Sequence, residues 1–106
     1  MERVVRDGYV AVLYSPEYGA GWYSWHGIPE LIYDPVVVEM VENTTPYETI
    51  VKYCEERYPE ERYVQTFIGA EDLTISWIVE GEQFVIEEYD GAESIKFKSD
   101  FEWMTA

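Results

Sequence analysis

The sequence predicts an α+β fold: a mainly antiparallel sheet, built from an N-terminal strand and a C-terminal three-stranded meander, with two short helices packed on one face. Three observations carry this expectation. All five prolines (16, 29, 35, 46 and 59) lie in the first part of the chain, two of them directly after residues that cap helices. After Pro59 the apolar residues recur with a period of two, and Glu80-Gly81 and Asp90-Gly91 punctuate the alternating runs. The length of 106 residues fits one compact domain, 1–106, and there is no internal repeat or low-complexity linker.

Residues 8–15, GYVAVLYS, are rich in Val and Tyr and read as a strand buried on both faces. Residues 18–27, YGAGWYSWHG, read as a loop or short irregular strand. Asp34 followed by Pro35 is an N-cap with proline at the first helical position, opening a short helix that ends near Asn43. Thr45, Pro46 and Glu48 have the spacing of a capping box for a second helix. Its apolar face, Tyr47, Ile50, Val51, Cys54 and Tyr58, makes Cys54 a core residue rather than a reactive thiol. Residues 63–68 read as a short strand. Leu73, Ile75, Trp77 and Val79 alternate in the next, and residues 83–89 and 94–98 complete the meander. Phe84, Ile86, Ile95 and Phe97 supply the face expected to pack on the helices, with Phe101 and Trp103 closing the C-terminus.

The 22 acidic residues against 7 Lys and Arg give a net charge of −15, while 47% hydrophobic content is ordinary for a folded chain. So negative a surface offers no broad basic face to a nucleic acid and is repelled by anionic lipid; neither direct nucleic-acid binding nor membrane docking is expected. The lone Cys54 can form no internal disulfide, and residues 1–10 show no secretory leader, so an intracellular setting is expected. Residues 60–106 carry a net −9 and residues 1–59 a net −6, a C-terminal bias that falls on Glu87, Glu88, Asp90 and Glu93. On a hairpin these four form a candidate acidic face able to block the basic groove of a partner protein.

The second candidate is Gly19, Gly21, Trp22, Tyr23, Trp25 and His26. Glycine lets a backbone approach a ligand closely, and the aromatic rings offer stacking faces with N–H and O–H donors. On an extended segment Trp22 and Ser24 share one side while Tyr23 and Trp25 share the other. Such a pocket suits a small nucleotide-like ligand, its phosphates offset by Arg57, Lys52 or Arg62. His26 is the sole histidine, so no Ser-His-Asp triad beyond it and no multi-His metal site can be built, and acid–base work is left to a pairing with a carboxylate such as Asp34. No nucleotide-loop, EF-hand, nucleophile-elbow or H-x-E motif occurs. The expectation is therefore a binding protein with no catalytic residues, metal or cofactor. The alternative is a small carboxylate- or metal-dependent hydrolase.

Gly19-Ala20-Gly21-Trp22 with Ser24-Trp25, then Pro29-Glu30-Leu31, Asp34-Pro35 and Glu39-Met40-Val41-Glu42, form one set of short motifs. Gly69-Ala70-Glu71-Asp72-Leu73 and Glu88-Tyr89-Asp90-Gly91 with Glu93-Ser94-Ile95 form another. Across nearly the full chain this wording resembles a family of small acidic accessory proteins encoded by tailed phages. The resemblance implies a protein made in the cytoplasm of a bacterial host, where small non-enzymatic inhibitors of host factors or host defence are common. The expected partner is thus a bacterial host protein or a nucleotide-like signal. The aromatic surplus also allows a homodimer through a sheet edge or the Trp22 region.

Overall fold

A computed structural model describes residues 2–17, 21–59 and 68–98, except for the side chains of Trp25, His26 and Ile68. The architecture is α+β. Strands β1 (Val5–Arg6), β2 (Tyr9–Tyr14) and β3 (Thr74–Val79) form an antiparallel sheet in the order β1-β2-β3, and β4 (Phe84–Tyr89) pairs with β5 (Ala92–Phe97) in a separate two-stranded sheet. Between β2 and β3 lie α1 (Tyr23–His26), α2 (Glu30–Tyr33), α3 (Pro35–Glu42), α4 (Tyr47–Arg57) and a 3-10 turn, Ile68–Asp72.

Strand β2 is the centre of the three-stranded sheet and is buried on both faces, as its unbroken apolar run requires. Ala11 and Leu13 look toward a core completed by Val37 and Val38 of α3 and Ile50 and Cys54 of α4. Val10 and Val12 look the other way and join Ile32 and Ile78, with Phe84, Ile86, Ile95 and Phe97 of the hairpin packed against them. The sheet is thus the middle of three layers. Adjacent Leu31 and Ile32 divide between the two cores, which places α2 at the seam where the layers meet.

This corrects the expected meander. Val79 pairs with Tyr9 rather than with β4, and Glu82 N–H closes back on Val79 C=O at 3.0 Å. The chain leaves the first sheet there, and β4 and β5 stack across its second face instead of extending it. The reason is apolar demand: Val10 and Val12 present a second buried surface, which the Phe84, Ile86, Ile95 and Phe97 face of the hairpin covers. Those four side chains therefore pack opposite the helices α3 and α4, not on them. The strand expected over 63–68 lies outside the described residues apart from Ile68, which begins the 3-10 turn, and Phe101 and Trp103 also lie outside them.

Both short hairpins are closed by Asp-Gly. Asp7 and Gly8 have φ of 51° and 83°, and Asp90 and Gly91 have 53° and 86°, the paired left-handed conformations of a two-residue type I′ turn. The first of these pairs makes β1, an extra strand that the N-terminal sequence signals only through its Asp-Gly.

Asp34 caps α3 as the sequence predicts, accepting from Val36 N–H at 2.9 Å and Val37 N–H at 3.4 Å, with Pro35 at the first helical position. The capping box of α4 does not form. Thr44 takes φ 56°, and Thr44 and Thr45 N–H return to Val41 and Met40 C=O at 3.1 and 2.9 Å, a Schellman closure of α3. Thr45 is thereby held one residue outside the next helix, and Pro46, with ψ 140°, becomes the N-cap of α4 without a side-chain bond. Cys54 is fully buried, and burial pushes its thiol up to about 12, which fits the core role read from helical spacing.

Candidate functional site

The Gly-aromatic segment and the hairpin tip, far apart in sequence, meet at one carboxylate. Glu93 on β5 is 2% exposed. Its Oε1 accepts from Ser15 N–H at 2.8 Å, and its Oε2 accepts from Trp22 N–H at 3.0 Å, Ser24 N–H at 2.8 Å and Ser24 Oγ at 2.8 Å. Glu93 N–H in turn donates to Ser15 C=O at 2.7 Å. Four donors on one buried carboxylate satisfy groups that would otherwise be stranded at the start of α1 and the end of β2. The contact clamps the β4–β5 hairpin over α1.

Residues 23–26 therefore form a single helical turn rather than an irregular strand, and the alternation of sides expected for an extended segment does not apply. Gly27, at φ 66°, ends the turn and donates to Tyr23 C=O at 2.7 Å. Trp22 is fully buried, its Nε1–H donating to Leu31 C=O at 2.8 Å. It is a core residue that ties α1 to α2, so it offers no open stacking face and no dimer contact. Gly21 is buried beside it. Gly19 and the side chains of Trp25 and His26 lie outside the described residues.

Tyr23 is different. It is half-buried and lines a cleft of about 850 Å³ between the α1–α2 segment and the hairpin, within the range of small-molecule sites. Pro29, Ile32 and Tyr33 continue its wall on the helical side. Phe84, Val85 and Ile86 form the apolar wall on β4, and Lys96 of β5 and Lys98 just after it supply cationic groups beside Glu82 and Gln83. Val85 is 51% exposed, so this wall is open to a ligand.

Lys96 stands opposite Val85 in the register, and Lys98 N–H donates to Gln83 C=O at 2.9 Å. Lys96 is on β5 and Lys98 follows directly after its end, and both side chains line the cleft. They are two of the three lysines in the chain. The bases singled out from the sequence are elsewhere: Lys52 is exposed on α4, and Arg62 lies outside the described residues. Arg57 stacks over the Tyr58 ring at 5.0 Å, beside a smaller depression of about 420 Å³ that also contains Asp34.

No protein family, curated protein or solved structure matches this chain.

Asp34 is a second buried carboxylate, 6% exposed, and it is fully engaged: beyond its capping bonds it accepts from Tyr53 OH at 2.9 Å and Tyr58 OH at 2.7 Å. Burial first, and then the bond to Asp34, push Tyr53 up to about 12 and raise Tyr58 as well. These groups hold α4 to the start of α3 and keep their protons at neutral pH. Among the described residues no three His, Cys, Asp or Glu side chains converge in a way that could hold a metal ion, and no helix is long and apolar enough to cross a membrane.

The acidic face is also reduced. Glu93 is withdrawn into the clamp, while Glu87, Glu88 and Asp90 stay exposed, with Glu88 Oε1 accepting from Gly91 N–H within its own turn. Of the residues expected to bind a ligand, Tyr23 is in the cleft wall and is the only one placed there among the described residues. Tyr33, Phe84, Val85, Lys96 and Lys98 were missed, although the alternation that turns Ile95 and Phe97 to the core puts Lys96 on the other face.

Proposed function

We propose that this is a non-enzymatic, phage-encoded binding protein of the bacterial cytoplasm that counters a host defence by sequestering a small nucleotide-like signal in the cleft between α1–α2 and the β4–β5 hairpin. The observation that carries the reading is the convergence of Lys96 and Lys98 on an aromatic and apolar cleft in a chain of net charge −15. At physiological ionic strength charges beyond about 8 Å are largely screened, so an anionic ligand there feels chiefly the lining, where two lysines face the one carboxylate of Glu82. Tyr23, Tyr33 and Phe84 supply flat surfaces for a planar base, and the lysines supply donors for phosphate. The clamp at Glu93 makes the cleft by fixing the hairpin against α1. Blocking a basic groove by acidic mimicry has less support, because Glu93 is buried.

The test is release of bound molecules. Protein purified from phage-infected bacteria and then heat-denatured should liberate a phosphorylated aromatic small molecule, detected by mass spectrometry, whereas the Lys96→Glu/Lys98→Glu variant should liberate none. Equal recovery from both proteins, or a stoichiometric host protein in place of any small molecule, would refute the reading.

A further inference from the structure

Resting on that reading of the cleft, we infer that the base of its ligand is recognised by the main chain of β4, the C=O of Phe84 accepting from it and the N–H of Ile86 donating to it. The hairpin register fixes where these groups point. In an antiparallel pair, residues that exchange bonds with the partner strand alternate with residues whose N–H and C=O point to the other side. The two-residue Asp90-Gly91 turn makes Tyr89 and Ala92 a bonded pair, and Lys98 N–H on Gln83 C=O at 2.9 Å marks the same phase at the open end. Val85 and Glu87 therefore bond to Lys96 and Ser94, while the N–H and C=O of Phe84 and Ile86 point away from β5. Strand β5 obeys the same alternation: Glu93, out of phase with the bonded pairs, sends its N–H outward to Ser15 C=O at 2.7 Å.

That outer edge of β4 is the one the cleft follows. Its hairpin wall takes the consecutive residues 82–86 from the β4 side but only Lys96 and Lys98 from the β5 side, with Ile95 and Phe97 left out. Side chains of a strand alternate between faces, so a cleft that touches Phe84, Val85 and Ile86 together lies along the backbone edge and not over one face. Among the described residues no strand lies beside this edge, and no main-chain hydrogen bond leaves Phe84 or Ile86 across it. Water serves these groups while the cleft is open. A planar ligand seated between the strand and Tyr23 and Tyr33 displaces that water, and each main-chain group then left unpaired weakens binding. The pairing edge of a nucleobase carries a donor beside an acceptor, which is what one C=O and one N–H on the same strand edge require. The lysines answer to charge, which every nucleotide has; the strand edge answers to the base.

Amide hydrogen exchange of the full chain, resolved by NMR, tests this. In the unliganded protein the Phe84 and Ile86 N–H should exchange about tenfold or more faster than those of Val85 and Glu87, which β5 protects. The probes are the 5′-monophosphates of adenosine, guanosine, cytidine and uridine, with ribose 5-phosphate as the control that lacks a base. For the nucleotide that binds, saturation should slow Ile86 N–H exchange about tenfold and leave Val85 and Glu87 unchanged, and its affinity should exceed that of ribose 5-phosphate by about tenfold or more. Replacing the Ile86 N–H by an ester oxygen, with the side chain kept, should weaken that nucleotide about tenfold and leave ribose 5-phosphate binding as it was. Equal exchange at Phe84, Val85, Ile86 and Glu87 in the unliganded chain, or a bound nucleotide that leaves Ile86 exchange unchanged, would overturn the main-chain assignment and leave the cleft reading standing. No binding by any of these nucleotides would overturn both.

Discussion

If Glu93 joins the hairpin to the rest of the protein, its replacement should destabilise the fold in graded fashion. In Glu93→Gln the carboxamide oxygen can take the place of Oε2 and keep Trp22 N–H, Ser24 N–H and Ser24 Oγ as partners. The amide NH₂ then faces Ser15 N–H, a donor against a donor, where Oε1 accepted at 2.8 Å. One charge-assisted bond is lost and one buried N–H is stranded, a loss of about 2 kcal/mol. Glu93→Ala removes every acceptor and leaves a cavity, for a loss of about 3–5 kcal/mol, as when one member of a buried charged network is deleted. For a domain of this size each kcal/mol lowers Tm by roughly 4–8 °C, so Gln should lower it by roughly 8–16 °C and Ala by more. Glu87→Gln, at an exposed position two pairs from the turn, should stay within about 0.5 kcal/mol of the parent. Calorimetric melts of the four proteins at neutral pH measure the order. Amide NMR of Ser15, Trp22 and Ser24 locates it, since these three N–H signals should move most. A Glu93→Ala variant as stable as Glu87→Gln would show that the carboxylate bears no structural load, and the clamp would have to be abandoned.

Asp34→Ala removes the α3 cap and the acceptor of Tyr53 and Tyr58 together, and should cost about 2–4 kcal/mol by denaturant unfolding; Asp34→Asn, an equally good cap that keeps one acceptor oxygen, should cost about 1 kcal/mol. Alkaline pH should unfold the protein through Cys54 and Tyr53. Their protons are held up to about 12 in the folded state against 9.0 and 10.0 otherwise, so the folded form binds more protons than the unfolded one across that interval. The stability they contribute is complete below about pH 9 and is lost as pH rises toward about 12. A Tm series should be level up to pH 9 and fall beyond it, and Tyr53→Phe should flatten the part above pH 10; a Tm independent of pH to 11 would contradict the buried positions of these groups.

What could be read from the sequence follows the range of the forces involved. The strand at β2 and the cap at Asp34 depend on residues within one turn or one strand, and both stand where spacing put them. Thr45 fails as a cap although its local pattern is complete, because the backbone closure of α3 at Thr44 holds it one residue outside the next helix. The partition of β3 and β4 into different sheets was illegible for another reason: period-two alternation says which side chains share a face, and says nothing about which strand lies alongside.

The site shows the same division more sharply. Glycines beside aromatics and acids beside a turn look like two recognition surfaces when each is read alone. Their strongest contact is with each other, because Glu93 reaches across 71 positions to Trp22 N–H and 69 to Ser24 N–H. A buried carboxylate needs donors and a one-turn helix needs an acceptor, so each segment supplies what the other lacks. On this account the joint presence of GAGWYS and EYDGAES in one chain has a structural explanation. The cleft is lined instead by side chains that neither motif contains, among them Phe84, Val85, Lys96 and Lys98. If the proposed anionic ligand binds there, the charge of −15 acts as a filter, repelling anions from the rest of the surface and leaving the two cleft lysines as the place where one can be held.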